Sequence, residues 1–417
     1  MKKILLSIGI LLCLFLLFIV FLLVKDPNPD RPATIETPNG YVQAVGTNLY
    51  DGDGNLLTLN GTNFGNWFVM EEYMSVASVG DYDTGIYTKK RGLAAMKDNP
   101  NLTDEQILEL NDLFMDSYIQ ETDFKEVSDL GLNVIRINFT YMDLTDEKGT
   151  LKENAFQRLD WCLEMCEKYG LYAILDLHGA YGSQNKDNHS GDDSQYHLYD
   201  SDENRVLTIK LWETIAGRYK ERKIVAAYDL LNECRRDIDK FGGKVNTDFY
   251  DELYHAVRKV DPNHMIMIEY FSFPFNGAPV REYGWENICV EYHIYNLSPF
   301  PQLACLYFYK ALHNLWGNQT PVYIGEWCAW NNKEDWIKTL AFFDQLGWSH
   351  SSWVYKWNNY KFAEATKEFT NFGIYELTME PIDLHTATFE EIAEAFQRTS
   401  TKYAHPTLAF DVFSDYY

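Results

Sequence analysis

The chain has 417 residues, 46% of them hydrophobic and 16% aromatic, so it can bury the core of one large domain or of two to three smaller ones. Its formal net charge is −25, from 36 basic and 61 acidic side chains. Such a chain repels polyanions, which argues against nucleic acid and anionic lipid as partners.

The first 25 residues have the pattern of a membrane anchor. Two lysines precede an uncharged, apolar run over residues 4–24, which as a helix is about 31 Å long and covers a bilayer core of about 30 Å. No small-residue cleavage site follows, so a signal anchor over residues 1–25 is favoured over a cleaved signal peptide. The lysines place the N-terminus inside, which predicts a single-pass protein with its main domain outside the cell; secretion after cleavage is the alternative. Residues 26–40 are predicted to be a Pro-rich linker.

From residue 41 onward, apolar strand patterns alternate with helical ones. After a predicted hairpin in residues 41–59, helical periodicity separates most of the strands, and a polar stretch from residue 179 to 205 is long enough to be a functional cover. The alternation predicts a (β/α)₈ barrel over residues 41–417, with a doubly wound open sheet as the alternative. The eight strands are expected near residues 58, 134, 174, 228, 267, 289, 323 and 353. The helices are expected over residues 101–129, 155–169, 206–219, 246–259, 302–316, 333–345 and 389–402.

The seven cysteines show neither CxxC pairs nor zinc-binding spacing. We therefore expect most of them to be buried thiols, because nothing in their arrangement suggests a disulfide framework.

Two of the apolar strands end in a glutamate. Residues 226–231 lead to Asn232-Glu233, and residues 321–324 lead to Gly325-Glu326. A charge at the mouth of an apolar strand is costly unless it is paired or used. Pairing with an arginine is the simple explanation for each. Two such glutamates, far apart in the chain, are also what a glycosidase needs to face one sugar bond from two sides.

Polar and aromatic side chains also stand at the C-terminal ends of other predicted strands, where the active site of such a barrel lies. They are Asn66, Trp67, Arg136, His178, His293, Tyr295 and Trp353. Each of these residues has a simpler explanation when it is taken alone. The arginine can neutralise a buried carboxylate, the histidines can be core residues whose nitrogens are hydrogen-bonded, and the tryptophan can serve packing. Their shared position at one mouth predicts a functional site.

These motifs resemble glycoside hydrolase family 5, the cellulase-like enzymes. Residues 228–233 (YDLLNE) and 324–326 (IGE) look like the acid/base and nucleophile motifs of that family. Residues 175–185 (LDLHGAYGSQN) and 60–67 (NGTNFGNW), followed by Glu71, are similar to the third-strand and first-strand motifs of its exo-β-1,3-glucanase branch. The likeness covers three further motifs, at residues 131–138, 293–295 and 353–356.

The resemblance spans about residues 45–375 and implies a retaining glycosidase that cleaves β-1,3- or β-1,4-linked glucans, with Glu233 as general acid/base and Glu326 as nucleophile. It also implies that Arg136 and Tyr295 orient the nucleophile and that Asn232 binds the sugar 2-hydroxyl. The other implied sugar-binding residues are His178 and His293, Trp353 as a stacking platform and, more weakly, Glu71. This chemistry needs no metal or organic cofactor. We expect a monomer whose partners are an oligo- or polysaccharide and, through residues 4–24, the lipid bilayer.

Departures from the family pattern concern the substrate more than the chemistry. Cys234 and Tyr181 stand where the family has proline, and the loop over residues 186–205 is unusual. Several alternatives therefore stay open: the same chemistry on β-mannan or a glycolipid, transglycosylation, or a membrane-tethered carbohydrate-binding pseudoenzyme. A nucleotide-binding Rossmann protein is disfavoured, because no GxGxxG motif follows a strand.

Overall fold

A computed structural model describes residues 14–79, 88–234, 244–269, 280–295, 302–316, 319–360 and 372–417. Eight parallel strands form a closed barrel, each hydrogen-bonded to its neighbours in chain order. The strands are β1 Asn60–Asn63, β2 Val134–Thr140, β3 Tyr172–Gly179, β4 Val225–Asp229, β5 Met265–Glu269, β6 Ile288–Tyr295, β7 Val322–Cys328 and β8 Ser349–Ser352. Because β8 pairs with β1, the predicted barrel is confirmed and the open sheet is excluded.

Helices connect most of the barrel strands and pack around them. Those of eight or more residues in the described part span residues 14–24, Lys89–Asp98, Asp104–Tyr118, Glu121–Asp129, Gln157–Tyr169, Asp202–Tyr219, Lys244–Val260, Gln302–Trp316, Lys333–Leu346, Phe389–Gln397 and Leu408–Tyr416. Shorter helical turns are Glu72–Met74, Tyr141–Leu144, Asn188–Ser190, Val280–Tyr283 and Thr401–Tyr403. The single helix predicted over residues 101–129 is wrong, because Ile119 and Gln120 are extended and Gln120 begins a new capping box with Asp123.

Two apolar clusters form the core. The larger lies between the barrel and its helices. The smaller combines residues of six barrel strands with Leu49 of the N-terminal sheet and Val42, which immediately precedes that sheet. That sheet consists of Gln43–Val45, Asn48–Tyr50 and Leu56–Leu57, in agreement with the predicted hairpin, and it closes the N-terminal end of the barrel. The opposite end is left for polar groups.

The last barrel strand is shorter than predicted. The sequence suggested one strand over residues 351–356, but β8 ends at Ser352 and the chain then leaves the barrel. Lys356–Asn358 instead joins a small sheet with Tyr375–Leu377 and His405–Pro406. A further pair joins Ala77–Ser78 to Ile382–Asp383. Trp353 therefore follows the strand end directly and can turn into the barrel mouth.

The N-terminal residues contact the outside of the barrel. Residues 14–24 are helical with mostly exposed apolar side chains, and Asn314 Nδ2 donates to the carbonyls of Leu22 and Lys25 at 2.9 Å each. In the part of the chain that is described, no helix is long and apolar enough to span a membrane. Residues 4–13 of the predicted anchor lie outside the described residues.

The loop that joins β3 to the next long helix, residues 180–201, is called the cover loop below. Two ion pairs fasten it to the helix Lys89–Asp98. Lys90 Nζ lies 2.9 Å from Asp192 Oδ2, and the Arg91 guanidinium binds both carboxylate oxygens of Asp193, at 2.8 and 2.7 Å. The Lys90 backbone N–H also donates to the Gly191 carbonyl at 3.1 Å. Residues 191–193, in the middle of the cover loop, are thus held against the first turn of this helix.

Candidate active site

Glu326 lies near the end of β7 with both carboxylate oxygens hydrogen-bonded. Arg136 Nη1 donates to Oε1 at 3.1 Å and the Tyr295 hydroxyl donates to Oε2 at 2.7 Å. The preceding residue must be glycine, because a Cβ on Gly325 would lie 1.5 Å from Glu291 Oε1. The Gly-Glu sequence therefore leaves room for a buried carboxylate beneath Glu326.

Glu233 follows β4 in a left-handed backbone conformation, with a φ of 44°. This conformation is uncommon for a residue other than glycine. It is stabilised by Glu269 at the end of β5, whose carboxylate accepts the Glu233 backbone N–H. Of the two side-chain oxygens of Glu233, Oε1 lies 2.9 Å from His293 Nδ1 and Oε2 lies 3.1 Å from His189 Nε2. Strand ends and one loop residue thus fix both the backbone and the carboxylate.

The structure brings the two predicted glutamates together. A carboxylate oxygen of Glu233, one of Glu326 and a ring nitrogen of His293 all lie within 4.8 Å of one another. His293 pairs with Glu326 across the β6–β7 ladder. Three such groups could hold a metal ion, but the four carboxylate oxygens already contact Arg136, Tyr295, His189 and His293. The arrangement favours a pair of hydrogen-bonded carboxylates.

Beneath this pair, Arg136 is fully buried among four carboxylates. Its Nη2 lies 2.7 Å from Asp229 Oδ2 and 3.2 Å from Asp176 Oδ1, and its Nε lies 3.4 Å from Glu291 Oε1; Glu326 is the fourth. Burial alone would lower the pKa of Arg136, but the acids, chiefly Asp176 and Glu291, raise it well above its ordinary value. The arginine is therefore a permanent cation at the base of the site.

More acids than cations are buried here, so some of the acids hold protons at neutral pH. Burial raises the pKa of Asp176 and of Asp229 to about 6 and that of Glu291 to about 7. Burial likewise raises the pKa of Glu269 well above its ordinary value. Burial disfavours a charged His293, yet the neighbouring carboxylates, Glu269 first, raise its pKa well above 6.5.

His178 and Trp353 form one wall of the site. Their rings are stacked, with centroids 5.4 Å apart and planes 10° apart. Burial lowers the pKa of His178 well below 6.5, so its Nδ1–H donates to Asp176 Oδ2 at 2.6 Å as a neutral imidazole. Trp353 Nε1 donates to the Tyr73 hydroxyl at 3.2 Å. The indole is thereby fixed from both sides.

Asn232 and Glu71 each have a buried polar atom without a hydrogen-bond partner among the described residues. In Asn232, Oδ1 accepts from Arg136 Nη2 at 2.9 Å, whereas Nδ2 has no such partner. In Glu71, which is 3% exposed, the atom is Oε1. Burial, followed by the charges of Glu326 and Glu233, raises the pKa of Glu71 well above its ordinary value. Buried atoms of this kind are expected to bind a ligand or water.

The buried acids should make the free energy of unfolding depend on pH. Asp176, Asp229 and Glu291 bind protons in the folded chain that the unfolded chain, with pKa values near 4, has already released by pH 5. The unfolded state therefore binds fewer protons, and the free energy of unfolding should fall as pH rises from 5 to 8, by about 1 kcal/mol per pH unit for each group at most. Thermal melts across this range should show a falling melting temperature.

The matched variants are Glu291→Gln and, as control, Glu334→Gln on an exposed helix, where Glu334 pairs with Lys338. In Glu291→Gln the melting temperature should fall less steeply between pH 5 and 7 than in the wild type. In Glu334→Gln it should fall with the wild-type slope. A melting temperature that rises with pH over this interval would contradict the assigned protonation states.

Every residue named from the sequence as a site residue lies at or near this end of the barrel, but two of them make structural contacts within it. Asn66 Nδ2 donates to the Met74 carbonyl at 2.7 Å and Trp67 Nε1 to the Met115 carbonyl at 2.8 Å, so both hold the loop after β1. Of the six cysteines in the described residues, five are buried, as predicted for most of them, and none of the six forms a disulfide. Cys234 is buried, with Sγ 3.1 Å from the Tyr250 hydroxyl, and burial raises its pKa.

Among the residues that hold the site but were not predicted from the sequence are His189, Asp176, Asp229, Glu269 and Glu291. Asp229 and Glu269 carry the signal that identified Glu233, a carboxylate at the C-terminal end of an apolar strand. Asp176 and Glu291 occupy strand interiors, and His189 lies in a loop. Nothing in a one-dimensional pattern indicates that such residues reach the barrel mouth.

Comparison with known proteins agrees with this geometry. A family model for cellulase, glycosyl hydrolase family 5, matches residues 96–361. The chain is 31% identical to a β-xylosidase of Phanerodontia chrysosporium, over 63% of this chain and 53% of that protein. It is 29% identical to a glucan 1,3-β-glucosidase of Candida oleophila, over 59% of each. It thus spans just over half the length of these curated relatives.

Among solved structures, that of an endogalactoceramidase aligns over 86% of this chain and 84% of its own, with a TM-score of 0.57 and 18% sequence identity. A likeness at this identity shows a shared fold. The family model, in contrast, covers more than half of the chain and includes both glutamates that face each other in the barrel mouth. This chain therefore belongs to glycosyl hydrolase family 5.

Proposed function

We propose that this chain hydrolyses β-linked glucans with retention of anomeric configuration, using Glu326 as nucleophile and Glu233 as general acid/base. The observation that carries the proposal is the approach of their carboxylate oxygens to within 4.8 Å. Retaining glycosidases place their carboxyl groups about 5–5.5 Å apart, whereas inverting enzymes leave about 6.5–9.5 Å for a water molecule. The observed spacing suits direct attack on the anomeric carbon.

The chemistry proceeds in two displacements. Glu326 attacks the anomeric carbon and forms a glycosyl-enzyme, while the electron pair of the glycosidic bond passes to the leaving oxygen and Glu233 supplies its proton. Glu233 then takes a proton from water, which displaces Glu326. Arg136 and Tyr295 hold the Glu326 carboxylate in position through their hydrogen bonds to its two oxygens.

The remaining site residues are proposed to bind the sugar. The free Nδ2 of Asn232 suits a sugar 2-hydroxyl, where hydrogen bonds strengthen in the transition state. The stacked His178 and Trp353 rings offer a flat apolar wall, and Glu71 Oε1 adds a polar contact at the rim. His293 contacts both catalytic carboxylates, at 2.9 and 3.5 Å.

A β-glucan is proposed as the substrate because a glucan 1,3-β-glucosidase is among the relatives; a β-xyloside is the competing possibility that the β-xylosidase raises. The deciding experiment assays the full chain on laminarin, carboxymethyl cellulose, mannan, aryl β-xylosides and a glucosylceramide, with product sizing and NMR of the first anomer formed. Activity on a β-glucan with a β-anomer product supports the proposal. An α-anomer product, or activity on none of these substrates, would refute it.

The acid/base role of Glu233 has its own test. In Glu233→Ala, 2,4-dinitrophenyl β-glucoside should still glycosylate the enzyme, because its leaving group needs no proton. Hydrolysis of the intermediate would then lack its base. Added azide needs no base, so it should restore turnover and yield β-glucosyl azide, measured by release of dinitrophenol and by product mass. A Glu334→Ala control should show no azide effect, and absence of the azide product from Glu233→Ala would assign the proton to another residue.

We also infer that residues 4–24 tether this domain to a membrane, with the barrel on the outer side. The support is the uncharged apolar composition of this segment after two lysines. Its first ten residues lie outside the described part of the chain.

A further inference from the structure

The general-acid role requires a proton on Glu233, and the contacts of the cover loop indicate how it is kept there. This inference rests on the proposed function and assigns a role in it to two further residues. Both lie in the cover loop: Asn185, which is fully buried, and His189, whose side chain is 14% exposed.

The orientation of the Asn185 amide is fixed by two backbone partners. Its Oδ1 accepts the Asp187 backbone N–H at 2.9 Å, and its Nδ2 donates to the Glu233 carbonyl at 3.0 Å. A flipped amide would place acceptor against acceptor and donor against donor, so the network determines which atom is nitrogen. The same Nδ2 lies 2.8 Å from His189 Nε2 and has a second hydrogen to donate.

The tautomer of His189 follows from that donor. Because Asn185 Nδ2 donates to it, Nε2 is the unprotonated nitrogen of a neutral ring, with the hydrogen on Nδ1. The same Nε2 lies 3.1 Å from Glu233 Oε2. An unprotonated nitrogen and an ionised carboxylate oxygen would repel each other. The contact is a hydrogen bond only when Oε2 carries a proton.

The other oxygen of Glu233 has the complementary partner. His293 is protonated, because its carboxylate neighbours raise its pKa well above 6.5, so Nδ1–H donates to Glu233 Oε1 at 2.9 Å. Oε1 is therefore the carbonyl-like acceptor and Oε2 the hydroxyl. The two imidazoles select which oxygen is protonated.

We propose that Asn185 and His189 are positioning residues that hold the proton of the general acid on Glu233 Oε2. One proton is shared between His189 Nε2 and Glu233 Oε2. Asn185 Nδ2–H donates to the same nitrogen lone pair, which therefore accepts two hydrogens. The second donor makes Nε2 a weaker base and biases the shared proton towards the carboxyl group. When a substrate binds, the hydroxyl rotates about its C–O bond towards the glycosidic oxygen, which takes the proton as the glycosidic bond breaks. His189 keeps its own proton on Nδ1 throughout.

The charge state of His189 decides whether the acid is available. Against the raising effect of burial, charged His189 and His293 together lower the pKa of Glu233 to about 2. An imidazolium at His189 would thus hold Glu233 ionised, and a neutral His189 removes the first of these two lowering charges. The other ionisable groups around Glu233 in the described residues are Glu71 and Tyr73 after β1, His178 on β3, Glu269 on β5, Glu326 on β7 and Tyr309 on the helix Gln302–Trp316. Asp187 of the cover loop lies on the His189 side of the pair, with Oδ2 3.9 Å from His189 Nε2.

The kinetic test separates proton delivery from general damage to the site. In His189→Ala, kcat/KM on laminaritriose or cellotriose, whichever the wild type cleaves faster, should fall by about 10- to 100-fold, a part of the 10²–10⁴ that general acids contribute. On 2,4-dinitrophenyl β-glucoside, which needs no acid, kcat/KM should change less than about 3-fold. His197→Ala, at an exposed histidine of the same loop, is the matched control and should match the wild type on both substrates.

The sharper variant is Asn185→Asp, which replaces the donor by an acceptor in the same shape. It should draw the proton onto His189 and lose at least as much activity on the oligosaccharide as His189→Ala. The basic limb of its kcat/KM profile should also move to lower pH. Equal losses on both substrates in His189→Ala, or no loss on the oligosaccharide, would overturn the proposal. Inactivity of the wild type on every β-glucoside would instead refute the proposed function.

A measurement on the unaltered protein does not depend on folding of the variants. Two-bond ¹H–¹⁵N correlation spectra of the full chain labelled with ¹⁵N-histidine, with His189 assigned by the loss of its signals in His189→Ala, report the tautomer directly. A neutral ring protonated at Nδ1 is expected at pH 7. A ring protonated at Nε2, or an imidazolium, would overturn the proposal.

Discussion

Glu326→Gln is expected to reduce kcat/KM by about 10⁴- to 10⁶-fold on every β-glucoside that the wild type cleaves, because the amide cannot form the glycosyl-enzyme. The loss should be as severe for 2,4-dinitrophenyl β-glucoside as for an oligosaccharide, since a good leaving group does not replace a nucleophile. This equality distinguishes Glu326 from Glu233 and His189. Initial rates on the two substrates measure it.

The variant should remain folded, because Gln has the shape of Glu and can still accept from Arg136 and Tyr295. Glu334→Gln, the same change on an exposed helix, is the control and should retain full activity. If Glu326→Gln kept activity within 10-fold of the wild type on any of these substrates, another group would be the nucleophile.

Arg136→Ala is expected to affect stability and catalysis together. It leaves Asp176, Asp229, Glu291 and Glu326 without their shared cation, and loss of one partner from a buried ionic cluster costs about 3–5 kcal/mol. It also removes the donor to Glu326 Oε1, for which a loss of about 10²–10³ in kcat/KM is expected. Urea denaturation and steady-state kinetics measure the two effects.

The control for this variant is Arg158→Ala. Arg158 also contacts two carboxylates, Asp112 and Asp116, but these are mostly exposed, so its loss should cost less than about 1 kcal/mol. The loss of unfolding free energy in Arg136→Ala should be smaller at pH 5, because the buried acids that lose their cation can bind protons there. Equal destabilisation by the two changes would show that the buried acids are not compensated by Arg136.

Sequence reasoning predicted the part of this molecule that depends on periodic patterns. Apolar runs located six of the barrel strands, β2 to β7, and the predicted positions of the polar strands β1 and β8 lie just outside them. Parallel strands joined by helices leave few topologies other than a closed barrel. Glu233 and Glu326 could be found because each interrupts an apolar run at a strand end. The roles of the residues around them were inferred from the family resemblance, and the observed contacts are compatible with those roles.

The features that sequence could not give depend on register and on loop shape. The predicted end of β8 was four residues too late because residues 353–356 have a strand-like composition. The structure ends the strand at Ser352, and Lys356 begins a strand of the small sheet outside the barrel. A register shift between Tyr292 and His293 places His293 opposite Glu326 on β7, and no sequence pattern indicates such a shift. His189 reaches Glu233 through a loop whose course is set by tertiary contacts.

The ion pairs of the cover loop make the rate of catalysis sensitive to the salt concentration. A glucan carries no charge, so added electrolyte has little direct influence on its encounter with the enzyme. Lys90 and Arg91, however, are partly exposed, and mobile ions weaken contacts of that kind at high ionic strength. These contacts hold the segment that carries His189. A high salt concentration would therefore weaken the two ion pairs, loosen the cover loop and change the rate at which Glu233 protonates an uncharged sugar.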